Sequence, residues 1–473
     1  MKRIIYCAAF MLILSAPLNA ELITKDYGKD LYRQNCSSCH HPERYGVSGP
    51  PLIAETIGKR KDAELTETIK NGLPSTNMPS FKGSLKDEEI AAIVSYIKTP
   101  APSPKWETKD ILTTRAISDR KGLSPRPKPD MTNFFMVVEG GKGDVHFMDG
   151  DTFTLLDKAH VGAIHGGPKF DNKLMNAYLG GRDGWVVKYD LTEWREVGRL
   201  RAGINTRNMA VSTDGKILAV ANTLPENIVL INTETLEPTR IINLEGKVGA
   251  IYTLKSKEVF VISFRDRAEV WFLEWNSLII SKFQVDQPFS DFFIEPGERF
   301  LIGTSREGKQ LSILDLESRK ITKSLEGEGM PHLASAAIYK DDGKMYAAFP
   351  HIEAPTLTVM ELYKWSVIEN VKLKGTGFFA RTHDNINTIW IDTGSDTIQI
   401  VDKRTLKIVN EVVPAAGKKA MHIEFTKDGK YALVSIWEND GAVVIYDTAT
   451  LKEIKRLPFM KPVGKYNATN KKY

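Results

Sequence analysis

The feature that most constrains the fold is a repeat. Between residues 131 and 473 a short apolar strand that closes on a turn of the Asp-x-x-Thr type, followed by a second strand, recurs at 145–150, 186–191, 228–233, 270–275, 311–316, 357–362, 398–403 and 443–448. Successive copies start 41 to 46 residues apart. A unit of this length with several strands cannot bury its apolar face alone and must stack on its neighbours, which is the signature of propeller blades. Segments such as 214–220 and 428–434, each opening on Asp-Gly-Lys, supply the preceding hairpins. Eight copies predict an all-β eight-bladed propeller, with a central channel wide enough for a flat macrocycle. A seven-bladed ring with one divergent copy is the structural alternative.

Upstream stands Cys36-Ser37-Ser38-Cys39-His40. This spacing lets two thiols form thioethers with the vinyl groups of one haem while the next residue reaches the iron, so it predicts a covalent haem c. Cys36 and Cys39 are the attachment sites and His40 the proximal ligand. About forty residues on, the turn-rich segment from Asn71 to Phe81 presents Met78 as the second axial ligand. A thioether opposite an imidazole raises the reduction potential and leaves no open position, so such an iron passes electrons rather than binding substrate.

The N-terminus reads as a signal peptide over 1–20: Lys2 and Arg3, an apolar run from Ile4 to Leu14, then Ala16-Pro17-Leu18-Asn19-Ala20 as cleavage region. No other stretch is long and apolar enough to span a bilayer. A periplasmic protein is expected, in the compartment where haem is attached covalently. Cys7 leaves with the signal, so both remaining cysteines belong to the haem motif and no disulfide is expected. Removal of Lys2 and Arg3 takes the formal charge from +5 to +3, too slight to argue for nucleic acid.

In chain order, Tyr27 to Gln34 reads as a short helix leading into the haem motif. A Gly-Pro loop follows from Gly46 to Leu52, then a helix from Asp62 to Ile69. Ser84 is the expected N-cap of a last helix whose first turn carries Asp87, Glu88 and Glu89 and whose apolar face is Ile90, Ile93, Val94 and Ile97. This order resembles a class I cytochrome c, a small all-α domain placed at 21–98. Residues 99–130 lose periodicity and gather Pro100, Pro102, Pro104, Pro125, Pro127 and Pro129, the composition of a linker. The propeller is placed at 131–473.

A haem c domain, a proline-rich linker and an eight-bladed propeller together resemble the cytochrome cd1 family, whose members include periplasmic nitrite reductase and dihydro-haem d1 dehydrogenase. The resemblance covers nearly the whole mature chain. Ile164-His165-Gly166-Gly167-Pro168, continuing to Gly180-Gly181-Arg182-Asp183-Gly184, matches the family's strand pair. It implies that His165 ligates the d1 iron from the proximal side and that Arg182 meets the macrocycle carboxylates, with Arg207 as a second carboxylate partner. Guanidinium suits that task because it stays charged and pairs bidentately. Gly329-Met330-Pro331-His332 implies a distal ligand or active-site base at His332.

Family reductases carry a further distal histidine about forty residues earlier, where this chain reads Gln287-Pro288-Phe289-Ser290-Asp291-Phe292. Nitrite reduction consumes two protons, and a pocket lacking one imidazole is poorly equipped to supply them. Ala420-Met421-His422-Ile423 instead places a histidine in a late blade, matching the proton acceptor of the dehydrogenase relative. Pro462-Val463-Gly464-Lys465-Tyr466-Asn467 resembles the family's closing segment, with Tyr466 as lid or hydrogen-bond donor.

The resemblance implies an oxidoreductase. It would oxidise a propionate of dihydro-haem d1 to acrylate in the last step of haem d1 biosynthesis and pass the electrons to haem c. The expected partners are the tetrapyrrole, a periplasmic electron acceptor and the nitrite reductase that receives haem d1. A cytochrome cd1 nitrite reductase and a haem d1 carrier without chemistry are the competing readings. His41, His146, His160, His351 and His383 read as solvated or strand-end hydrogen-bonding residues.

Overall fold

The computed structural model describes residues 17–47, 49–58, 60–73, 78–119, 121, 129–164, 167–306 and 310–469, with side chains from residue 26 onward. Most of the expected signal peptide therefore lies outside the described residues. The chain divides into two compact units, Met1–Ser103 and Pro104–Tyr473.

The first unit holds helices α1 (Pro17–Asn35), α2 (Ser37–His40), α3 (Ala54–Ile57), α4 (Asp62–Asn71) and α5 (Asp87–Ile97). Helix α1 starts earlier than the expected Tyr27, and its core-facing Leu31 and Tyr32 are buried. It crosses α5 at Gly28, where a Cβ would lie 2.2 Å from the Ala92 carbonyl oxygen. One turn on, Tyr32 and Tyr96 meet with ring centroids 5.4 Å apart. The expected apolar face of α5 is the one buried: Ile90, Ile93, Val94 and Ile97 are at most 2% exposed.

Ser84 is not the N-cap expected of it. Helix α5 begins at Asp87, and the Glu89 carboxylate closes the first turn by accepting the Lys86 N–H at 2.7 Å, while Ser84 Oγ turns back to the Phe81 carbonyl. At the other end, buried Arg44 gathers the carbonyls of Tyr96, Ile97, Thr99 and Pro100 within 3.0 Å and lies over the Tyr96 ring. A cation at a helix C-terminus satisfies orphan carbonyls and opposes the negative end of the macrodipole.

The second unit is a ring of eight antiparallel sheets. Blade 1 contains Phe134–Glu139, Asp144–Asp149 and Leu155–His160, and its innermost strand is the chain's last, Pro462–Asn467, paired so that Tyr466 faces Met136 and Lys465 faces Val137. Blades 2 to 8 begin at Lys169, Asn205, Val248, Asp291, Ala337, Ala380 and Ala420. Inner strands are buried, as in Ala420–Phe425, whereas outer strands such as Lys320–Glu326 alternate toward solvent.

The repeated turn has a local cause. An Asp or Asn ending the third strand accepts two backbone N–H groups ahead of it, as Asp190, Asn232, Asp402 and Asp447 do. The residue that follows takes positive φ, as at Trp194 and Leu236, and its buried side chain compensates the left-handed backbone.

The segment 99–130, expected to make no core, is divided. Residues 99–103 belong to the first unit, where Arg44 and Tyr45 hold them. Further on, helix α6 (Thr108–Thr114) buries Ile111 completely against Tyr178, Leu200 and Leu236. Ala116–Ile117 then adds a fifth strand to blade 2 through Arg199 and Gly198. One buried apolar side chain in a seven-residue helix, beside an exposed Leu112, gives too weak a period to read among prolines.

Candidate functional site

In the first unit Cys36 and Cys39 are free thiols, the first at the N-cap of α2 and the second within it. His40 is 7% exposed, and its Nδ1 lies 2.8 Å from the Pro50 carbonyl oxygen. That carbonyl can only accept, so Nδ1 carries the hydrogen and Nε2 is left as the ring's acceptor, the tautomer a metal requires. Burial lowers the His40 pKa, which favours the neutral ring. Gly49 is needed beside it, because a Cβ there would stand 2.6 Å from Cε1 of His40. Met78 packs against the core cluster that contains Cys36, while the residues just before it, 74–77, lie outside the described residues. Two unpaired thiols, an imidazole oriented through a carbonyl and a thioether on one core fit a haem c.

In the propeller the expected residues that the structure describes, Arg182, Arg207, His332, His422 and Tyr466, converge on one end of the ring. Arg182 sits in the turn between the second and third strands of blade 2. Gly184 lets that turn form, with φ of 90° and a would-be Cβ 1.8 Å from the Gly203 carbonyl oxygen. The Arg182 carbonyl then receives the Thr206 N–H at 2.9 Å, so the turn is tied to the strand that carries Arg207. Arg207 Nε donates to the Gly249 carbonyl at 2.6 Å.

Two arginines that sequence reasoning missed join them, Arg265 and Arg306. Burial and the charges of Arg207, Arg306 and Arg182 push Arg265 down to about 10, and Asp291 is the carboxylate that opposes them. Lys169 is pushed down to about 8 by burial, with Nζ 5.8 Å from the Tyr252 ring centre. Arg182 and Arg265 are solvent-accessible although desolvation lowers both, as expected of side chains lining a hollow.

The other wall of this end is aromatic. The Phe378 carbonyl accepts from His332 Nδ1 and from Ser335 Oγ, which leaves His332 Nε2 as an acceptor, 3.9 Å from Asp291 Oδ2. From His332 the rings follow one another. Phe379 is 5.8 Å from His332, His422 is 4.7 Å from Phe379, and Tyr466 is 5.2 Å from His422. A Cβ on Gly167 would meet the Tyr466 ring at 2.8 Å, so the wall closes two residues from His165. His165 itself lies outside the described residues. Burial pushes the Tyr466 phenol up to about 12, which keeps it a donor at neutral pH.

His422 is the extra residue of a β-bulge between Met421↔Ser435 and Ile423↔Val434, with φ of 53°. Its Nδ1 receives the Lys465 N–H at 3.4 Å, too long to fix the tautomer. The other histidines serve local bonds: His146 to Glu139, His160 to Asp144, His351 to Thr358, His383 to the Lys427 carbonyl and His41 to the Glu43 N–H.

Arg265 and Arg306 follow the second strands of blades 4 and 5 by one and two residues, the blade position of Arg182. Superposing the repeats would have found them. Asp291 stands in the very segment read only for its missing histidine. Concentrated guanidinium with one opposing carboxylate, beside a wall of rings with oriented nitrogens, fits a flat, carboxylate-rich macrocycle bearing a metal.

Residues 129–471 match the Cytochrome D1 heme domain family. The chain belongs to that family. Residues 24–97 match the Cytochrome C oxidase, cbb3-type, subunit III family. The Dihydro-heme d1 dehydrogenase of Pseudomonas aeruginosa is 38% identical over 94% of both chains. The solved structure of Dihydro-heme d1 dehydrogenase NirN in complex with DHE superposes with a TM-score of 0.90, covering 94% of this chain and 100% of that one. The Nitrite reductase of Stutzerimonas stutzeri is 22% identical over 94% of this chain and 93% of its own. This family member is thus an oxidoreductase of the dihydro-haem d1 dehydrogenase group, with a cytochrome c-type domain ahead of its haem d1 domain. Among the described residues no helix is long and apolar enough to cross a membrane.

Proposed function

We propose that the protein is a periplasmic dihydro-haem d1 dehydrogenase. It converts one propionate side chain of the macrocycle to acrylate, the closing step of haem d1 biosynthesis, and passes the electrons to a single covalent haem c. The observation that carries this reading is the joining of the arginine cradle to the wall of His332, Phe379, His422 and Tyr466 at one end of the ring.

The chemistry balances as follows. Two adjacent carbons of the side chain each lose one hydrogen, a C=C bond forms, and two protons and two electrons leave. Arg182 and Arg207 hold carboxylates and fix the macrocycle in the mouth. His165 and His332 take the iron from its two sides, the latter through Nε2. His422 takes a proton from the side chain, and the Tyr466 hydroxyl donates a hydrogen bond over the ring. Haem c, held by Cys36, Cys39, His40 and Met78, supplies a one-electron acceptor. Because the reaction releases two electrons, a periplasmic acceptor must empty haem c between them or take the second.

Asp291 bears on the choice against nitrite reduction. An acceptor-only carboxylate 3.9 Å from His332 stands on the strand where the reductases' second imidazole is expected, and it cannot orient nitrite or supply a proton while ionised.

The test is anaerobic addition of dihydro-haem d1 to the protein with haem c oxidised, following the macrocycle and haem c bands together. Conversion of the macrocycle spectrum with reduction of haem c, slowed by His422→Ala, is the expected result. Binding without spectral conversion would leave a carrier or a reductase, and nitrite turnover would separate those two.

A further inference from the structure

His422 is both the residue proposed to take the proton and, unlike the turn residues that share its positive φ, a left-handed residue inside a strand. A bulge residue lies outside the regular ladder, and a left-handed histidine persists only where its surroundings over-determine it. Those surroundings are two buried ionisable groups that the reaction does not itself use.

Asp392 ends the second strand of blade 7 and is fully buried. Its Oδ1 accepts the Phe378 N–H at 2.8 Å and its Oδ2 the Phe379 N–H at 2.9 Å, and the backbone of His422 also favours its charged form. Lys465, on the closing strand, is also fully buried. Its Nζ donates to the His422 carbonyl and, at 2.6 Å, to Ser435 Oγ, and its own N–H reaches His422 Nδ1. The bulge residue is therefore held from two sides, its C=O by a base from blade 1 and its ring by Phe379, whose N–H is fixed by an acid from blade 7. The same acid holds the two phenylalanines that link His422 to His332.

We infer that Asp392 and Lys465 are positioning residues, a buried acid and a buried base that together clamp His422 in its left-handed bulge and aim the imidazole at the reacting side chain. The inference rests on the dehydrogenase reading above. It also accounts for two groups that burial strongly disfavours as ions: Asp392 is pushed up to about 7, and Lys465 is held well below the lysine range against the pull of Glu424 and Asp392. A hydrophobic pair at these sites would pack without that penalty.

The experiment compares Asp392→Asn and Lys465→Met, each in the wild-type and His422→Ala backgrounds, for dihydro-haem d1 affinity and for conversion rate at saturation. Misplacing a reacting group by about 1 Å costs on the order of 100-fold. In the wild-type background each variant should slow conversion by roughly 10- to 100-fold, with the dissociation constant hardly moved. In the His422→Ala background neither should slow it further, because a group acting through His422 has nothing left to position. Ser435→Ala removes only the hydroxyl bracing Lys465 Nζ and serves if the charge variants do not fold; a smaller fall in rate, again absent in the His422→Ala background, is expected.

A fall of equal size in both backgrounds, or parallel loss of affinity and rate, would overturn the clamp. So would wild-type conversion by the clamp variants while His422→Ala is slow, and that result would leave the function reading standing. Wild-type conversion by His422→Ala itself would instead refute the role of His422, and the clamp with it.

Discussion

Replacing Arg207 with leucine should separate binding from folding. Among the described residues Arg207 donates to the Gly249 carbonyl and stands among like charges: burial chiefly lowers its pKa and those of Arg182 and Arg265, Arg207 adds to the lowering of the other two, Arg306 adds to its own, and Asp291 opposes at Arg207 and Arg265. Losing the Gly249 bond costs about 0.5–1.5 kcal/mol, and relief of guanidinium repulsion offsets part of this. Folding stability should therefore change by less than about 1 kcal/mol, a shift in melting temperature of no more than ~4 °C.

Binding should respond differently. A guanidinium–carboxylate pair in a sheltered site is worth about 1.5–3 kcal/mol, or roughly 10- to 150-fold in dissociation constant. Arg207→Lys, which keeps the charge but loses the fork, should fall between. Anaerobic spectroscopic titration with dihydro-haem d1, run beside thermal unfolding of the unloaded protein, measures both quantities. An unchanged dissociation constant, or a melting temperature many degrees lower, would show that Arg207 serves the fold and not the cradle.

Other predictions follow from the same geometry. Replacing both Cys36 and Cys39 with serine should abolish haem staining of the denatured chain, yet leave dihydro-haem d1 binding intact because the residues proposed to hold the macrocycle lie in the second unit. Arg44→Met should destabilise the first unit by about 2–4 kcal/mol, since it orphans the carbonyls at the end of α5; limited proteolysis of the haem domain reports this, and unaltered protection would sink the idea. Glu269 has its pKa held down to about 2 by Arg267 first, then Trp271 and Gln284. A depressed carboxylate stabilises the fold above its unfolded pKa and loses that contribution as pH falls toward the folded one. Glu269→Gln should thus cost ~1–2 kcal/mol at neutral pH, discounted for solvent screening, and the gap to wild type should narrow as pH drops from about 4 toward 2.

The propeller was legible because its evidence is local: an apolar strand and an Asp that caps the next turn occupy a handful of consecutive residues, repeated eight times. The same locality exposed Arg182, whose Gly-Arg-Asp-Gly turn is tight enough to need its glycines. Arg265 and Arg306 stand in unremarkable local contexts and acquire meaning once the equivalent turns of blades 2, 4 and 5 are set side by side. Asp392 and Lys465 gave no signal at all, since a strand-ending Asp and a Lys near the C-terminus are ordinarily exposed. Ser84 misled for the opposite reason. A good capping residue was present, but Glu89 closed the first turn of α5 from within and the helix began three residues later.

The cradle and the ring wall must also differ in what they contribute to turnover. Propionate and acrylate are both carboxylates, so under the proposed reaction Arg182, Arg207 and their neighbours would meet the same charges before and after it. Interactions equal in ground state, transition state and product raise affinity without lowering the barrier. Discrimination must come from groups that touch the two carbons whose hydrogens leave, which places it on the wall of His422 and Tyr466. Cradle variants should accordingly weaken dihydro-haem d1 and haem d1 by the same factor and convert at the wild-type rate once saturated, whereas His422→Ala should lose rate with affinity preserved. A cradle variant whose saturated rate falls as far as its affinity would show that the arginines act on the reacting side chain itself, and the division between holding and reacting drawn from the geometry would be wrong.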